Sequence, residues 1–232
     1  MLLVGPWRTA WHGGELQPKL QASMRPSRAC GVCAWLPGAR HHGGVSDLIV
    51  VSGPPGAGKT SVARALSRLF DPSALVPGDQ FFAFIDQGYI APWSSPAHRQ
   101  NEIVTEAAGA AAGRLATGGY TVVYDGVIGP WFLEVFTAAT ELSFLHYAAL
   151  LPPEPVCLER VRSRADHGFR DQQAARHMYQ QFATAAVDPR YVVTSTDAAA
   201  VLARQLFDLV HEGQLRWPAH DARIRARQPS DP

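Results

Sequence analysis

The residues best suited to chemistry in this chain form one stretch, Gly53-Pro54-Pro55-Gly56-Ala57-Gly58-Lys59-Thr60, followed by Ser61. It satisfies the pattern G-x-x-x-x-G-K-[ST] at every defined position. An apolar run, Leu48-Ile49-Val50-Val51, precedes it, and residues 61–66 continue it in a helical pattern. That strand-loop-helix setting gives the motif its physical meaning. Glycines let the backbone wrap an anion, and the N–H groups at the start of the following helix point inward, where the helix dipole favours negative charge. Lys59 is placed to reach terminal phosphates, and the Thr60 hydroxyl suits Mg²⁺, a hard ion that prefers oxygen. The chemistry expected of residues 53–61 is therefore the binding of a nucleoside triphosphate with Mg²⁺.

Two carboxylates stand out next, each for its place after a predicted strand. Residues 74–76 form a short apolar run that leads through Pro77-Gly78 to Asp79, and residues 120–124 form another that delivers Asp125, followed by Gly126. Ligands of open α/β sheets bind outside the carboxyl ends of the strands, so both acids are directed to the edge that holds the phosphate loop. A third group of candidates is basic. Arg160, Arg162 and Arg164 lie on one predicted helix, and Arg170 follows in the polar tip Asp166-His167-Gly168-Phe169-Arg170-Asp171. Arg162 reads as part of a solvated helix face.

The elements that must position these residues follow from periodicity. Residues 47–52 read as a fully buried first strand. The helix over 59–70 carries Val62, Ala65, Leu66 and Leu69 on one face, and Asp71-Pro72-Ser73 stops it. Residues 80–101 are aromatic and irregular, with Phe81, Phe82, Phe84, Tyr89 and Trp93 broken by Pro92 and Pro96, and they read as a segment covering a substrate. A long helix starts at His98 or Asn101, runs through Thr117 and ends at Gly118-Gly119. A short amphipathic helix is expected over 131–140 and a fourth buried strand over 143–151. The Arg-bearing helix and a second helix over 172–186 follow, as a movable lid over about 160–186. A fifth strand over 191–194 and a closing helix over 197–212 capped by Thr196 or Asp197 complete the core.

Composition narrows the function classes. At 232 residues the chain suits one well-cored domain, and its net charge of +1 supplies no general attraction to nucleic acid or anionic membrane. Three cysteines suit a reducing cytoplasm, and no apolar run is long enough to span a bilayer. Residues 1–46 lack periodicity and carry five basic residues against one acid. They are expected to be a disordered N-terminal extension whose composition weakly resembles a transit peptide. Cys30, Cys33, His41 and His42 within it are zinc-ligand types, but their spacing departs from that of known zinc motifs. Residues 213–232, rich in Arg and Pro, are expected to form a disordered tail.

Taken together over residues 46–212, the order of strand, phosphate loop, helix, strand-Asp, irregular segment, helix, strand-Asp-Gly, strand, Arg-rich helix and lid resembles the small P-loop kinases. That group contains adenylate, shikimate and gluconate kinases and chloramphenicol phosphotransferase-like enzymes. The resemblance implies a three-layer α/β/α fold with a five-stranded parallel sheet in the order 2-3-1-4-5. It implies Asp79 as the base facing an acceptor hydroxyl, and Asp125 as a carboxylate that helps Thr60 hold Mg²⁺ or contacts substrate. Arg160 and Arg164 match the lid-entrance pair, one stacking on adenine and the other reaching the γ-phosphate, and Arg170 would add to them. The activity implied is transfer of the γ-phosphate of ATP to a small-molecule hydroxyl on an antibiotic, a sugar or sugar acid, or a nucleoside-type acceptor. The protein would be a monomer or homodimer with no nucleic-acid or membrane partner. The region after Asp79 does not repeat the substrate signatures of shikimate or adenylate kinase. Phe81, Phe82, Tyr89, Trp93 and Trp131 are candidates for an acceptor pocket, although aromatics at such positions are more often ordinary core, and His98 and His146 read as structural. A nucleotide-binding or NTP-hydrolysing regulatory module without a small-molecule acceptor is the alternative.

Overall fold

The computed structural model describes residues 46–163, 169 and 171–219. The candidate ligands Cys30, Cys33, His41 and His42 and the arginines Arg164 and Arg170 lie outside the described residues.

The most apolar run of the chain lies at the centre of the sheet. Strand β1, Leu48–Ser52, is buried along its whole length because it pairs in parallel with β3, Thr121–Asp125, on one side and β4, Phe144–Leu150, on the other. Strand β2, Ser73–Pro77, adds to β3, and β5, Val192–Val193, adds to β4, also in parallel. The order β2-β3-β1-β4-β5 is the one expected from the resemblance. A buried parallel sheet needs helices on both faces. Helix α1, Lys59–Ser67, buries Val62, Ala63 and Leu66 and packs beside α7, Ala199–His211. The other long pair is α3, His98–Thr117, and α4, Pro130–Ala139. Their approach is close because α3 offers Gly109 and Gly113 to α4. A Cβ at Gly113 would lie 2.1 Å from the Thr140 carbonyl oxygen. Helix α5, Glu154–Ser163, and helix α6, Gln172–Thr184, pack together and are joined by an ion pair, Arg176 to Glu154, at 3.0 Å. A four-residue helix α2, Asp79–Phe82, opens the segment expected to be irregular. The closing helix is shorter than expected at its start, with Ala198 as its N-cap, while the Asp197 carboxylate accepts a hydrogen bond from Ser195 instead.

The expected disordered tail from 213 is corrected by a sixth strand. Strand β6, Arg216–Pro218, runs antiparallel to β4 and pairs with Phe144, Leu145 and His146. The reason lies in β5, which pairs only with the carboxyl half of β4 and leaves the amino half of that edge with unmet N–H and C=O groups. The returning chain meets them, and Leu215 beside it is fully buried, with its carbonyl accepting from the Tyr147 amide at 2.9 Å. Trp217 packs edge-on against Tyr147 and Tyr191, and the Tyr191 hydroxyl donates to the Arg216 carbonyl at 2.6 Å. The folded unit therefore extends past the expected end at 212. Leu215→Ala is expected to destabilise the protein by about 3 kcal/mol, the usual cost of emptying a leucine-sized core site, measurable by urea unfolding.

At the amino end of the sheet, the buried His146 side chain faces Asp47 at 3.4 Å. The hydrogen bond from His146 holds the Asp47 carboxyl below the ordinary aspartate range. Because the folded state favours the ionised form, the pair adds stability above the ordinary carboxylate pKa and loses it as pH falls through the lowered value. With the Asp47 side chain 42% exposed, the contribution is under about 1 kcal/mol. Asp47→Asn should accordingly flatten the acid limb of a stability-versus-pH curve below about pH 4, with a small loss at neutral pH.

Candidate functional site

The loop between β1 and α1 is shaped by close backbone approach. Gly53 has φ +136° and would carry a Cβ 2.2 Å from the Leu150 carbonyl oxygen, and Gly56 has φ +82° and would carry one 2.1 Å from the Cys157 carbonyl oxygen. Neither position admits an L side chain. The loop is thus seated against the end of β4 and the middle of α5. The Ala57 amide donates to the Pro54 carbonyl at 3.2 Å, and Lys59, the first residue of α1, folds its ammonium back to the same carbonyl at 3.2 Å. Arg160 reaches the loop from α5 and donates to the carbonyls of Gly56 and Ala57, each at 3.3 Å. The sequence placed Arg160 beside the donor phosphates, but its bonds to the loop backbone were not foreseen.

Both predicted carboxylates arrive at this loop. Asp125, at the end of β3, is buried, and its carboxylate takes a hydrogen bond from the Thr60 side chain. Burial pushes its carboxyl up, while the Thr60 hydrogen bond and the Lys59 charge pull it down and the Asp79 charge pushes it up again. Asp79 is the exposed first residue of α2. It is brought in by a main-chain bond, since the Gly78 amide donates to the Asp125 carbonyl at 2.7 Å. Between the two acids lies the Tyr124 hydroxyl, so close under the α2 turn that a Cβ at Gly78 would lie 2.1 Å from it. Burial and the charges of Asp79 and Asp125 push that hydroxyl well above the ordinary tyrosine range, so it is a neutral donor at physiological pH.

The turn after β3 is fixed by a residue that sequence reasoning passed over. Ser52 donates to the Ile128 carbonyl at 2.7 Å and accepts from the Ile128 amide at 3.0 Å, while the Tyr147 hydroxyl donates to the same carbonyl at 2.9 Å. The segment after Asp79 is likewise held by polar side chains at the start of α3. Gln100 grips Ile90 at both its amide and its carbonyl, at 2.7 and 2.6 Å, and Asn101 donates to the Pro92 carbonyl at 2.7 Å. The signal in sequence was a Gln-Asn pair in the first turn of a helix that follows a Pro-rich loop, and only the fold gives it partners. Of the aromatic candidates, Phe81 packs on the core, while Tyr89, Trp93 and Trp131 stay exposed. Trp93 meets Phe169 edge-on at 4.8 Å, and Trp131 meets Phe182 of α6 at 5.2 Å. Arg162 is exposed and paired with Glu159, as a solvated face requires. His98 stacks on Phe132 and His146 is paired with Asp47, both outside the site.

A phosphate loop at a strand-to-helix turn, with acids from two neighbouring strand ends and a cation from α5, defines a nucleotide-binding α/β fold of the P-loop kinase kind. The chain belongs to the AAA domain family, whose pattern matches residues 49–199. No curated protein sequence matches the chain. Among solved structures it is similar to the APS kinase CysC of Mycobacterium tuberculosis in complex with AMPPNP and APS. That likeness has 17% identity and a TM-score of 0.56 and covers 72% of this chain and 98% of that one. It is also similar to a sugar kinase of Janibacter sp. HTCC2649, at 16% identity and TM-score 0.54, covering 72% and 95%. A third is the tunicamycin resistance protein of Deinococcus radiodurans, at 19% identity and TM-score 0.51, covering 75% and 99%. These likenesses show a shared fold. Among the described residues, no helix is long and apolar enough to cross a membrane.

Asp125 is a buried acid whose burial opposes its charge, which is a cost to the fold unless the residue serves a function. Asp125→Asn keeps an oxygen for the Thr60 hydrogen bond and removes that cost. Its melting temperature without nucleotide is expected to be unchanged or higher, by up to about 1 kcal/mol in stability. A clear loss would mark Asp125 as a structural strut instead.

Proposed function

We propose that the protein is an ATP-dependent phosphotransferase that moves the γ-phosphate to a hydroxyl of a small molecule. The observation that carries this reading is the convergence of an exposed acid, Asp79, with the phosphate loop and with the buried Asp125 beside the exposed Thr60. The solvent-facing Asp79 suits a base that meets an acceptor hydroxyl arriving from solvent; a hydrolysing module would use the same carboxylate on water, so the destination of the γ-phosphate separates the two readings. Residues 53–61 cradle the phosphates of ATP, with the amides of the α1 start and the Lys59 ammonium opposing their charge. Thr60 and Asp125 fit a Mg²⁺ ion, since both are hard oxygen donors already in contact with each other. When bound, the ion supplies charge neutralisation at the β- and γ-phosphate oxygens.

Asp79 orients the acceptor hydroxyl and accepts its proton as the hydroxyl oxygen bonds to the γ-phosphorus. The bond from that phosphorus to the terminal oxygen of ADP breaks in the same step, and Asp79 returns the proton to solvent. Arg160 holds the loop carbonyls and supplies positive charge at the root of the lid, and Arg164 and Arg170 are proposed to close over the γ-phosphate. Acceptors compatible with this arrangement include an antibiotic, a sugar or sugar acid, and a nucleoside-type molecule. The compartment proposed is the cytoplasm, and the state is a monomer or homodimer.

Lys59→Ala should reduce turnover by about a thousandfold or more, and Asp79→Asn should retain ATP binding while losing transfer to a comparable degree. Both are read by following the γ-phosphate label from ATP into acceptor and into inorganic phosphate. Full transfer by Asp79→Asn would remove Asp79 from the base role. Label released only as inorganic phosphate, whatever hydroxyl compound is offered, would instead support the regulatory NTP-hydrolysing module.

A further inference from the structure

Strand β3 ends on a tyrosine and an acid that leave the sheet on opposite faces, as successive strand residues must. Asp125 turns to α1, where Thr60 donates to it, and Tyr124 turns to α4, where its ring packs on Phe136 at 4.7 Å. Tyr124 is only 3% exposed, and its hydroxyl lies between the two turns that carry the acids. A Cβ at Gly78 would lie 2.1 Å from that oxygen, and one at Gly126 would lie 2.9 Å from it. Gly78 has φ −61° and ψ −35°, a conformation open to any L residue, and Gly126 lacks the positive φ that calls for glycine. Both are glycine for space. The residue before Asp79 and the residue after Asp125 thus give up their side chains to one phenol.

Among the described residues the Tyr124 hydroxyl forms no hydrogen bond, and neither does the Asp79 carboxylate. The phenol oxygen is not fully enclosed, because the fully buried side-chain polar atoms that lack a partner there belong to Asn101 and His146. Burial first, then the Asp79 charge, then the Asp125 charge keep the phenol protonated. Toward a carboxylate it can therefore only donate, and an ionised carboxylate can only accept. Asp125 already has the Thr60 hydroxyl on the opposite face of the sheet. The unmatched donor and the unmatched acceptor are neighbours across Gly78.

We infer that Tyr124 is the positioning residue of the base: as the acceptor displaces water, its hydroxyl donates to one Asp79 carboxylate oxygen and turns the other toward the acceptor hydroxyl. This rests on the phosphotransferase reading and deepens it. The proton balance of the transfer is unchanged, since Tyr124 keeps its proton and Asp79 takes that of the acceptor. An exposed aspartate on a four-residue helix samples several rotamers, and holding one of them acts on rate through orientation.

The test offers γ-labelled ATP with a panel of sugars, nucleosides and hydroxylated antibiotics, then takes Tyr124→Phe, Asp79→Asn and the double variant through the best acceptor. Phenylalanine keeps the ring between the two glycines and removes only the oxygen. Tyr124→Phe is expected to lower kcat about tenfold or more, with the melting temperature and the KM values for ATP and acceptor unchanged. In the Asp79→Asn background it should cause no further loss. Full kcat in Tyr124→Phe would overturn the inference, and so would a loss that multiplies that of Asp79→Asn, because the hydroxyl would then act on something else. A raised acceptor KM at unchanged kcat would make Tyr124 a substrate contact instead, and a lowered melting temperature would make it a structural residue; either overturns the inference. If label appears only as inorganic phosphate, the phosphotransferase reading falls, and the same variants are compared on phosphate release to water. There a coupled loss of about tenfold retains the Tyr124–Asp79 pair, and no loss removes it as well.

Discussion

Two backbone carbonyls, those of Leu150 and Cys157, press against the phosphate loop where only glycine fits, and the geometry of the site follows from that contact. The Leu150 contact fixes the loop to the carboxyl end of β4. The Cys157 contact fixes it to α5. Arg160 lies three residues beyond Cys157, close to one helical turn, so the same packing returns the guanidinium to the loop and onto the carbonyls of Gly56 and Ala57. The loop and the middle of α5 are therefore one rigid unit. A side chain at Gly56 would have to displace α5, and Arg160 would be displaced with it.

The remaining parts of the site attach to this unit through polar bonds of two kinds. On the donor side the bonds are largely main chain, or side chain to main chain within the loop. The β3–α4 turn is carried by Ser52 and Tyr147, which both bind the backbone of Ile128. On the acceptor side, Gln100 and Asn101 hold an otherwise irregular segment from outside. A loop held by side-chain amides can change its sequence without disturbing the sheet, whereas the phosphate loop cannot. In the proposed reading, this division separates a fixed nucleotide site from a variable acceptor site.

The division also explains what could be read from the amino-acid sequence. The phosphate loop, the strand ends at Asp79 and Asp125 and the five parallel strands were legible because each rests on local pattern: a fixed motif, an apolar run, a turn residue. Features that depend on distant partners were not. Nothing near Arg216 or Trp217 announces a strand. The short segment pairs only because β5 leaves half of the β4 edge open, a fact visible only in the assembled sheet. Leu215 was an apolar residue in a stretch read as tail by its Arg and Pro content, and composition averaged it away. Ser52, the last residue of a strand, carries no sequence signal of the turn that it ties 76 positions later. The aromatic residues after Asp79 were ambiguous for the same reason, and the fold divides them by assigning Phe81 to the core and leaving Trp93 at the surface.

The two acids show why one is buried and the other is not. Both charges act on the Tyr124 hydroxyl, and the Asp79 charge makes ionisation of Asp125 harder. Two carboxylates buried together would compete for one charge, and one would be driven to its neutral form. Asp125 is compensated by the Thr60 hydroxyl and the Lys59 charge, both parts of the rigid loop, so it can sit inside. No ion pair to Asp79 forms among the described residues, and its place at the start of a four-residue helix leaves it in water. In the proposed reaction this exposure is useful. An acceptor arriving from the aromatic side meets a solvated carboxylate and completes its desolvation only when the hydroxyl itself supplies the hydrogen bond. The interaction that costs most to prepare is then made by the substrate, so the acid is set in its working environment only when there is a hydroxyl to deprotonate.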